Sequence, residues 1–376
     1  MTSPRKFIPV SMPTFLGNEK RYVSDCMDTE WISSIGKYIS AFEEQFAEFC
    51  SVPHAVACNN GTTALHLALL ACGVGPGDEV IVPTLTYIAS ANAIRYCGAT
   101  PVFIDSDPRT MNLDPGQLEE RISPRTKGIV VVHLYGHPVD MDPVLDIARQ
   151  HNLFVIEDAA EAHGARYKGR IAGSLSDVAT FSFFGNKIIT TGEGGMVTTR
   201  NRELAEKIRI LRGQGMDPNR RYWFPVIGYN YRMTNIQAAI GLAQLENIEQ
   251  HLASRRRVAE WYNRHLQRAA AFIELPVEMP WAHHSFWMYT ILLRTTAAGM
   301  SNERFREALA ARGIDSRPVF YPMHTMPPYS EDRRYPVAED LSARGLNLPT
   351  HGHLTEDDVQ YIGDAIFSIC SQAACA

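Results

Sequence analysis

The sequence predicts an α/β protein: a mostly parallel sheet covered by helices on both faces, with a second, smaller domain after it. Near-continuous apolar runs of strand length alternate with helical segments through residues 80–183, as strands buried on both faces do. The chain has 376 residues, more than one hydrophobic core usually spans. Its composition, 45% hydrophobic and 20% charged, is that of an ordinary globular protein.

Taken in order, Trp31–Tyr38 is a turn-rich stretch that covers a ligand or simply feeds the next helix. That helix is amphipathic, with Phe42, Phe46 and Phe49 on one side. Gly61, Thr62 and Thr63 open the helical run Ala64–Leu70. A helix start of this kind presents free N–H groups and hydroxyls to an anion, or is an ordinary N-cap. Gly73–Glu79 follows a helix and precedes the strand Val80–Val82, the reverse of a dinucleotide loop, so it reads as a connector. Tyr87 lies at a strand-to-helix junction, as core packing or as a flat face for a ring, before the small-residue helix Ile88–Ile94.

Three further strands follow at Pro101–Asp105, Gly128–His133 and Leu153–Asp158. Ligands on such sheets gather at the carboxyl ends of strands, where His133 and Asp158 lie. Asp158 is a helix cap or a functional acid. His133 and His137 have a metal-like spacing, but Gly136 and Pro138 argue against one helix carrying both. The strand Ala179–Phe183 ends in Lys187, with Gly185, Gly192, Gly194 and Gly195 around it. A lysine there is a solvated edge residue or an amine placed for chemistry.

A long helical stretch from Thr234 to about residue 268 carries the domain boundary, dividing the chain into 1–248 and 249–376. The second part contains a strand at Phe286–Leu292, a helix at Asn302–Arg312 and a proline-broken loop from Arg317 to Pro328. That loop is a substrate loop or a rigid connector.

A net charge of −5 gives no encouragement to nucleic-acid binding, and Arg255-Arg256-Arg257 reads as a solvated helix face. Met1–Lys6 leads into no long apolar core, and no apolar run reaches the roughly 20 residues of a membrane helix. The seven cysteines form no CxxC pair, and Cys50, Cys58, Cys72 and Cys97 read as reduced core residues. A cytosolic enzyme without membrane or nucleic-acid partners is expected.

One cofactor fits the remaining pattern. Pyridoxal phosphate needs a lysine for its aldehyde, an acid at its ring nitrogen, donors for its phosphate and an aromatic against its ring. The chain offers, in order, Gly61-Thr62-Thr63, Tyr87, Asp158, Ser182 and Lys187.

This ordered set resembles the sugar-nucleotide aminotransferases of the DegT/StrS family. The resemblance runs over nearly the whole chain, through Trp31–Tyr38, Asn60–Leu69, Gly77–Pro83, Glu157–Ala165, the lysine stretch and Gly228–Met233. It implies the aspartate aminotransferase-like (type I) fold, with a mostly parallel seven-stranded sheet and a smaller α/β C-terminal domain. It also implies that Lys187 binds the cofactor and moves protons, that Asp158 holds the ring nitrogen, and that Tyr87 stacks. Gly61, Thr62, Thr63 and Ser182 would form the phosphate shell. Asn230 would reach the phosphate of a neighbouring subunit, giving a homodimer with shared active sites. Glu161 replaces a glutamine common at its position. Facing the cofactor's phenolic oxygen it must be protonated, water-separated or turned away.

Relatives with histidine in place of the lysine dehydrate their sugars, so Lys187 favours amino transfer, with L-glutamate as the usual donor. Trp287-Met288, Arg317–Pro328 and the lysine stretch are most similar to members that aminate C4 of GDP-4-keto-6-deoxymannose. The alternatives are a UDP- or dTDP-linked keto-sugar, or a sugar dehydratase. Tyr321, His324, Arg232 and Arg317 are candidate substrate contacts. A non-catalytic regulator on the same fold would need an added DNA-binding segment, for which the sequence shows no basic extension.

Overall fold

A computed structural model of the protein describes residues 7–294 and 299–374; Met1–Lys6 and Cys375 lie outside them. The central sheet contains β1 (His54–Cys58), β2 (Glu79–Pro83), β3 (Thr100–Ile104), β4 (Thr126–Val132), β5 (Phe154–Asp158), β8 (Val178–Ser182) and β9 (Gly195–Thr199). Their order is β1-β9-β8-β5-β4-β2-β3. The contacts from β3 to β8 are all parallel, while β9 runs antiparallel to both β8 and β1. The mostly parallel seven-stranded sheet is therefore present.

Its strands are apolar throughout because both faces are covered. Val80, Val82, Val130 and Val132 point into the larger core, and Ile81, Ile129 and Val131 into a smaller one behind the sheet. This is the period of two expected of a strand. The larger core holds helix α2 (Lys37–Phe49), after α1 (Glu19–Asp28), and the aromatics of β8 and its extension. Phe46 meets Phe181 edge-on at 4.9 Å between ring centroids, and Phe42 meets Phe183 at 5.1 Å. Phe49 is only half-buried at its margin.

Helices α3 (Gly61–Ala71), α4 (Ala89–Tyr96), α5 (Met141–Gln150) and α6 (Arg202–Arg212) pack on the sheet. Short strands β6 (Arg166–Tyr167), β7 (Arg170–Ile171) and β11 (Ala282–His283) form a separate three-stranded patch. A four-stranded antiparallel sheet, ordered β10-β12-β14-β13, is made from β10 (Ile273–Glu274), β12 (Tyr289–Leu293), β13 (Arg317–Pro318) and β14 (Gly345–Leu348).

Three local expectations are corrected. The long helix is two helices, α7 (Asn235–Leu245) and α8 (Ile248–His265). Asn247 leaves helical geometry, and its side-chain amide donates to the Ala243 carbonyl that its backbone would otherwise serve. The strand expected at Phe286 begins only at Tyr289. Upstream, the backbone is captured by a turn across the sheet: Ser285 N–H donates to Gly136 O, and Met288 N–H to Tyr135 O. Phe286 consequently adopts a φ of 50°. Finally, Arg255 is no part of a solvated face; it is 4% exposed, and its guanidinium donates to the carbonyls of Trp287 and Thr350.

Helix α8 passes from one core to another: Ile248 belongs to the larger core, Val258 and Tyr262 to a second one around β12 and β14. Ile8 joins this second core and bridges to Ile314. Cys50, Cys58 and Cys97 are buried free thiols and Cys72 is partly buried. Among the described residues no helix is long and apolar enough to cross a membrane.

Candidate active site

Three ionisable side chains converge at the carboxyl ends of β5 and β8. Asp158 closes β5, flanked by β4 and β8. Turns follow it, so it caps no helix. Its carboxylate accepts from Ser90 Oγ of α4 at 2.8 Å and from Ala160 N–H at 3.2 Å. Glu161 lies in the turn after it and accepts from Tyr135 N–H at 2.9 Å. Lys187 stands five residues past Ser182, the last residue of β8, and Nζ reaches Glu161 Oε1 at 3.4 Å.

The lysine is carried by a closed loop rather than by a strand end. β8 and β9 pair as far as Ser182 and Gly195, and Phe183 N–H donates to Gly194 O beyond them. Thr190 Oγ1 and Thr191 N–H both donate to Phe183 O. Gly192 holds a φ of 81°, where glycine carries no steric penalty. The carbonyl of Asn186 is clamped from two distant segments, by Ser11 Oγ at 3.2 Å and Trp287 Nε1 at 2.8 Å.

Burial dominates the electrostatics. It pushes the carboxyls of Asp158 and Glu161 up and the Lys187 amine down, while the attraction between amine and carboxylates opposes each shift.

Helix α3 begins beside this cluster. Asn60 caps it, accepting from Thr63 N–H at 2.9 Å, and Thr63 Oγ1 donates to Asn59 Oδ1 at 2.7 Å. The first-turn N–H groups of Gly61 and Thr62 have no acceptor within the helix. A Cβ at Gly61 would come 2.8 Å from Ser182 Cβ, so the absence of a side chain lets β8 and the helix start meet.

Tyr87 is not core; it is 59% exposed and leans on Phe320 at 5.7 Å. Phe320 continues to Tyr135 at 5.4 Å, and Tyr135 stacks on Trp287 at 6.2 Å. Of this aromatic wall, Tyr87 is the member the sequence singles out; Tyr135, and Ser90 beside Asp158, carry no local signal, while Phe320 and Trp287 fall in stretches marked only by resemblance. Tyr321 is exposed. His324 is buried, its ring facing Thr84 Oγ1 at 2.8 Å and Glu339 Oε1 at 3.2 Å. Arg317 is exposed 3.8 Å from Asp315. Asn230 is exposed and accepts from Arg232 Nη2 at 3.0 Å, while Asn59 N–H donates to the next carbonyl, Tyr231 O. His133 is fully buried against Glu157 at 3.0 Å, and no group fit to hold a metal exists among the described residues.

The donor set suits pyridoxal phosphate. A buried amine stands against the buried Glu161 carboxylate, with the buried carboxylate of Asp158, oriented by two donors, close enough to act on its charge, and a glycine-opened helix start alongside. The side-chain oxygen of Asn186 is buried there without a partner among the described residues.

The fold matches that of a solved aminotransferase from Psychrobacter cryohalolentis, with a TM-score of 0.91 at 33% identity, covering 97% of this chain and 99% of that one. The chain belongs to the DegT/DnrJ/EryC1/StrS aminotransferase family, whose model matches residues 15–367. It is 61% identical over 361 residues to a GDP-perosamine synthase of Caulobacter vibrioides, covering 94% of this chain and 96% of that protein. It is 51% identical over 362 residues to a GDP-perosamine synthase of Escherichia coli O157:H7, covering 96% and 98%.

Proposed function

We propose that this protein is a pyridoxal-phosphate-dependent aminotransferase that converts GDP-4-keto-6-deoxymannose to GDP-perosamine with L-glutamate as donor. The observation that carries this is near-end-to-end identity to relatives named for that product, in a chain whose sheet brings Lys187, Asp158 and Glu161 together.

Bound at this site, pyridoxal phosphate supplies an aldehyde to carry the amino group and a ring to take up electron density when a proton leaves. Lys187 removes the proton from Cα of glutamate and, in the second half of the cycle, delivers one to C4 of the sugar. Burial lowers its pKa and raises the share of neutral amine at neutral pH. Asp158, oriented by Ser90 and Ala160, keeps the ring nitrogen protonated. The first turn of α3 (Gly61, Thr62, Thr63) and Ser182 would hold the phosphate, and Tyr87 would cover the ring. Glu161 accepts from Tyr135 N–H, and its raised pKa favours a protonated carboxyl against the phenolic oxygen. Tyr321, Arg317 and Arg232 are assigned to the substrate, and His324 supports the loop of Arg317 and Tyr321 through Thr84.

Residues 1–248 are assigned to the cofactor-binding domain and 249–376 to a small domain. The crossing of α8 between cores supports that division, and the insertion of Ile8 into the second core runs against its N-terminal limit. Buried free thiols and a nucleotide-linked substrate favour the cytoplasm.

With glutamate present, kcat/KM for GDP-4-keto-6-deoxymannose is expected to exceed that for UDP- and dTDP-linked keto-sugars by about tenfold or more. Faster turnover of either alternative would reassign the nucleotide; loss of water without gain of an amine would make the protein a dehydratase.

A homodimer with shared sites is part of the proposal. Tyr222, Trp223, Phe224, Val226 and Ile227 expose a run of apolar side chains just before Asn230, and Ile227 is 91% exposed. Such a patch suits burial against a second copy. Mixing Lys187→Ala subunits with Asn230→Asp subunits is expected to restore activity above either parent, because one site of each heterodimer then carries neither lesion. The added aspartate repels the phosphate, so the Asn230→Asp parent needs more cofactor. No recovery in demonstrated heterodimers would place Asn230 at its own subunit's site.

A further inference from the structure

Lys187 has two partners, the Glu161 carboxylate and an aromatic face. Its Nζ lies 3.8 Å from the centroid of the Trp287 indole. The 3.4 Å to Glu161 Oε1 is long for a charge-assisted hydrogen bond, which closes to about 2.7–2.9 Å. A cation over an aromatic face within about 6 Å is stabilised by the ring, and more strongly where water is excluded.

The indole is held in place from every side. Its Nε1–H donates to Asn186 O, the residue before the lysine, at 2.8 Å. Tyr135 stacks on it at an interplanar angle of 21°. Its own carbonyl accepts from Arg255 Nη1 at 3.0 Å. Arg255 makes no ion pair among the described residues, and burial lowers its pKa to about 10. A buried guanidinium committed to backbone carbonyls is costly, and here it fixes the segment that carries the indole. Gly136, at a φ of 101°, lets that segment approach: a Cβ there would lie 2.5 Å from Ser285 Oγ and 3.0 Å from Trp287 N.

We propose that Trp287 is a positioning residue whose indole face is the resting place of the Lys187 ammonium whenever that amine is free of cofactor, and that this contact holds part of the lysine population charged. The inference rests on the assignment of Lys187 as the cofactor lysine. Glu161 and Asp158 also favour the charged amine, and burial opposes all three contacts. The remaining titratable neighbours carry little charge: burial takes His163 down to about 3 and lifts the Tyr135 phenol. Among the described residues the indole is thus an uncharged partner placed to favour the ammonium form.

The test is the titration of Lys187 in the full chain stripped of cofactor, read as pH-dependent acetylation of that residue by mass spectrometry. Trp287→Leu keeps an apolar wall and removes the ring face, and is expected to lower the Lys187 pKa by about half to one unit. Trp287→Phe retains a weaker ring and is expected to fall between. Uniform replacement of tryptophan by mono-, di- and trifluorotryptophan drains the ring's negative face at almost constant shape, so the pKa is expected to drop stepwise with fluorine number even if the leucine variant folds poorly. An unchanged or rising pKa across both series overturns the proposal. Borohydride trapping of pyridoxal phosphate on the wild-type chain separates the two levels. Trapping at Lys187 with a flat titration series removes only the role of Trp287, whereas trapping elsewhere removes the assignment of Lys187 itself.

Discussion

Lys187→Ala is expected to lose transaminase turnover by about ten-thousand-fold or more, since both proton transfers in the proposed cycle use its amine. The fold should survive, because the loop around residue 187 is tied by Phe183, Thr190, Thr191 and Asn186 rather than by the lysine side chain. The effect on stability has a defined sign. The lysine's folded pKa lies below its unfolded value near 10.5, so its charge opposes folding of the cofactor-free chain at neutral pH. That opposition fades as pH rises through the folded pKa and is gone above the unfolded one. The variant's melting temperature at neutral pH should therefore match or exceed that of the cofactor-free parent, with the gain vanishing in alkali. Visible absorbance from added pyridoxal phosphate should be lost with the lysine. Retained turnover would remove the lysine from the chemistry.

Asp158→Asn is expected to bind cofactor but to turn over about a hundred- to a thousand-fold more slowly. The amide is nearly isosteric, and the Ser90 hydroxyl can rotate to accept where it now donates, so the local hydrogen bonds persist. What disappears is the negative charge opposite the ring nitrogen. Stopped-flow measurement of each half-reaction checks this, and both should slow together. Near-normal rates would leave Asp158 as a residue that merely orders the Ala160 turn.

The parts of this molecule legible in its sequence are those fixed by short-range pattern. The apolar runs at Val80–Val82, Gly128–Val132 and Phe154–Asp158 become parallel strands because nothing but a doubly covered sheet accommodates them. The start of α3 at Gly61 is equally local, set by Asn60 and Thr63. Beyond Tyr87, the wall of the site was not legible, because periodicity reports which side is buried and not against whom. Trp287 belongs by pattern to a strand, yet its position follows from a turn at Tyr135–Gly136 about 150 residues earlier, which no local signal announces. Arg255 looked solvated beside Arg256 and Arg257, and only the carbonyls of Trp287 and Thr350 explain its burial. The break between α7 and α8 turned on one asparagine amide competing with its own backbone.

The double clamp on the Asn186 carbonyl links the site to the order of synthesis. Ser11 emerges first from a ribosome, the lysine loop much later, and Trp287 about a hundred residues after that. Domains tend to fold as they appear, N-terminal part first. The central sheet can thus close while the loop carrying Lys187 has only one of its two tethers. Because the contact to Trp287 spans so much chain, it forms late, after the loop-closure entropy of the intervening helices has been overcome. A nascent chain paused before residue 287 would hold a folded sheet and an unaligned amine, so capture of the cofactor becomes a report that the C-terminal part has docked.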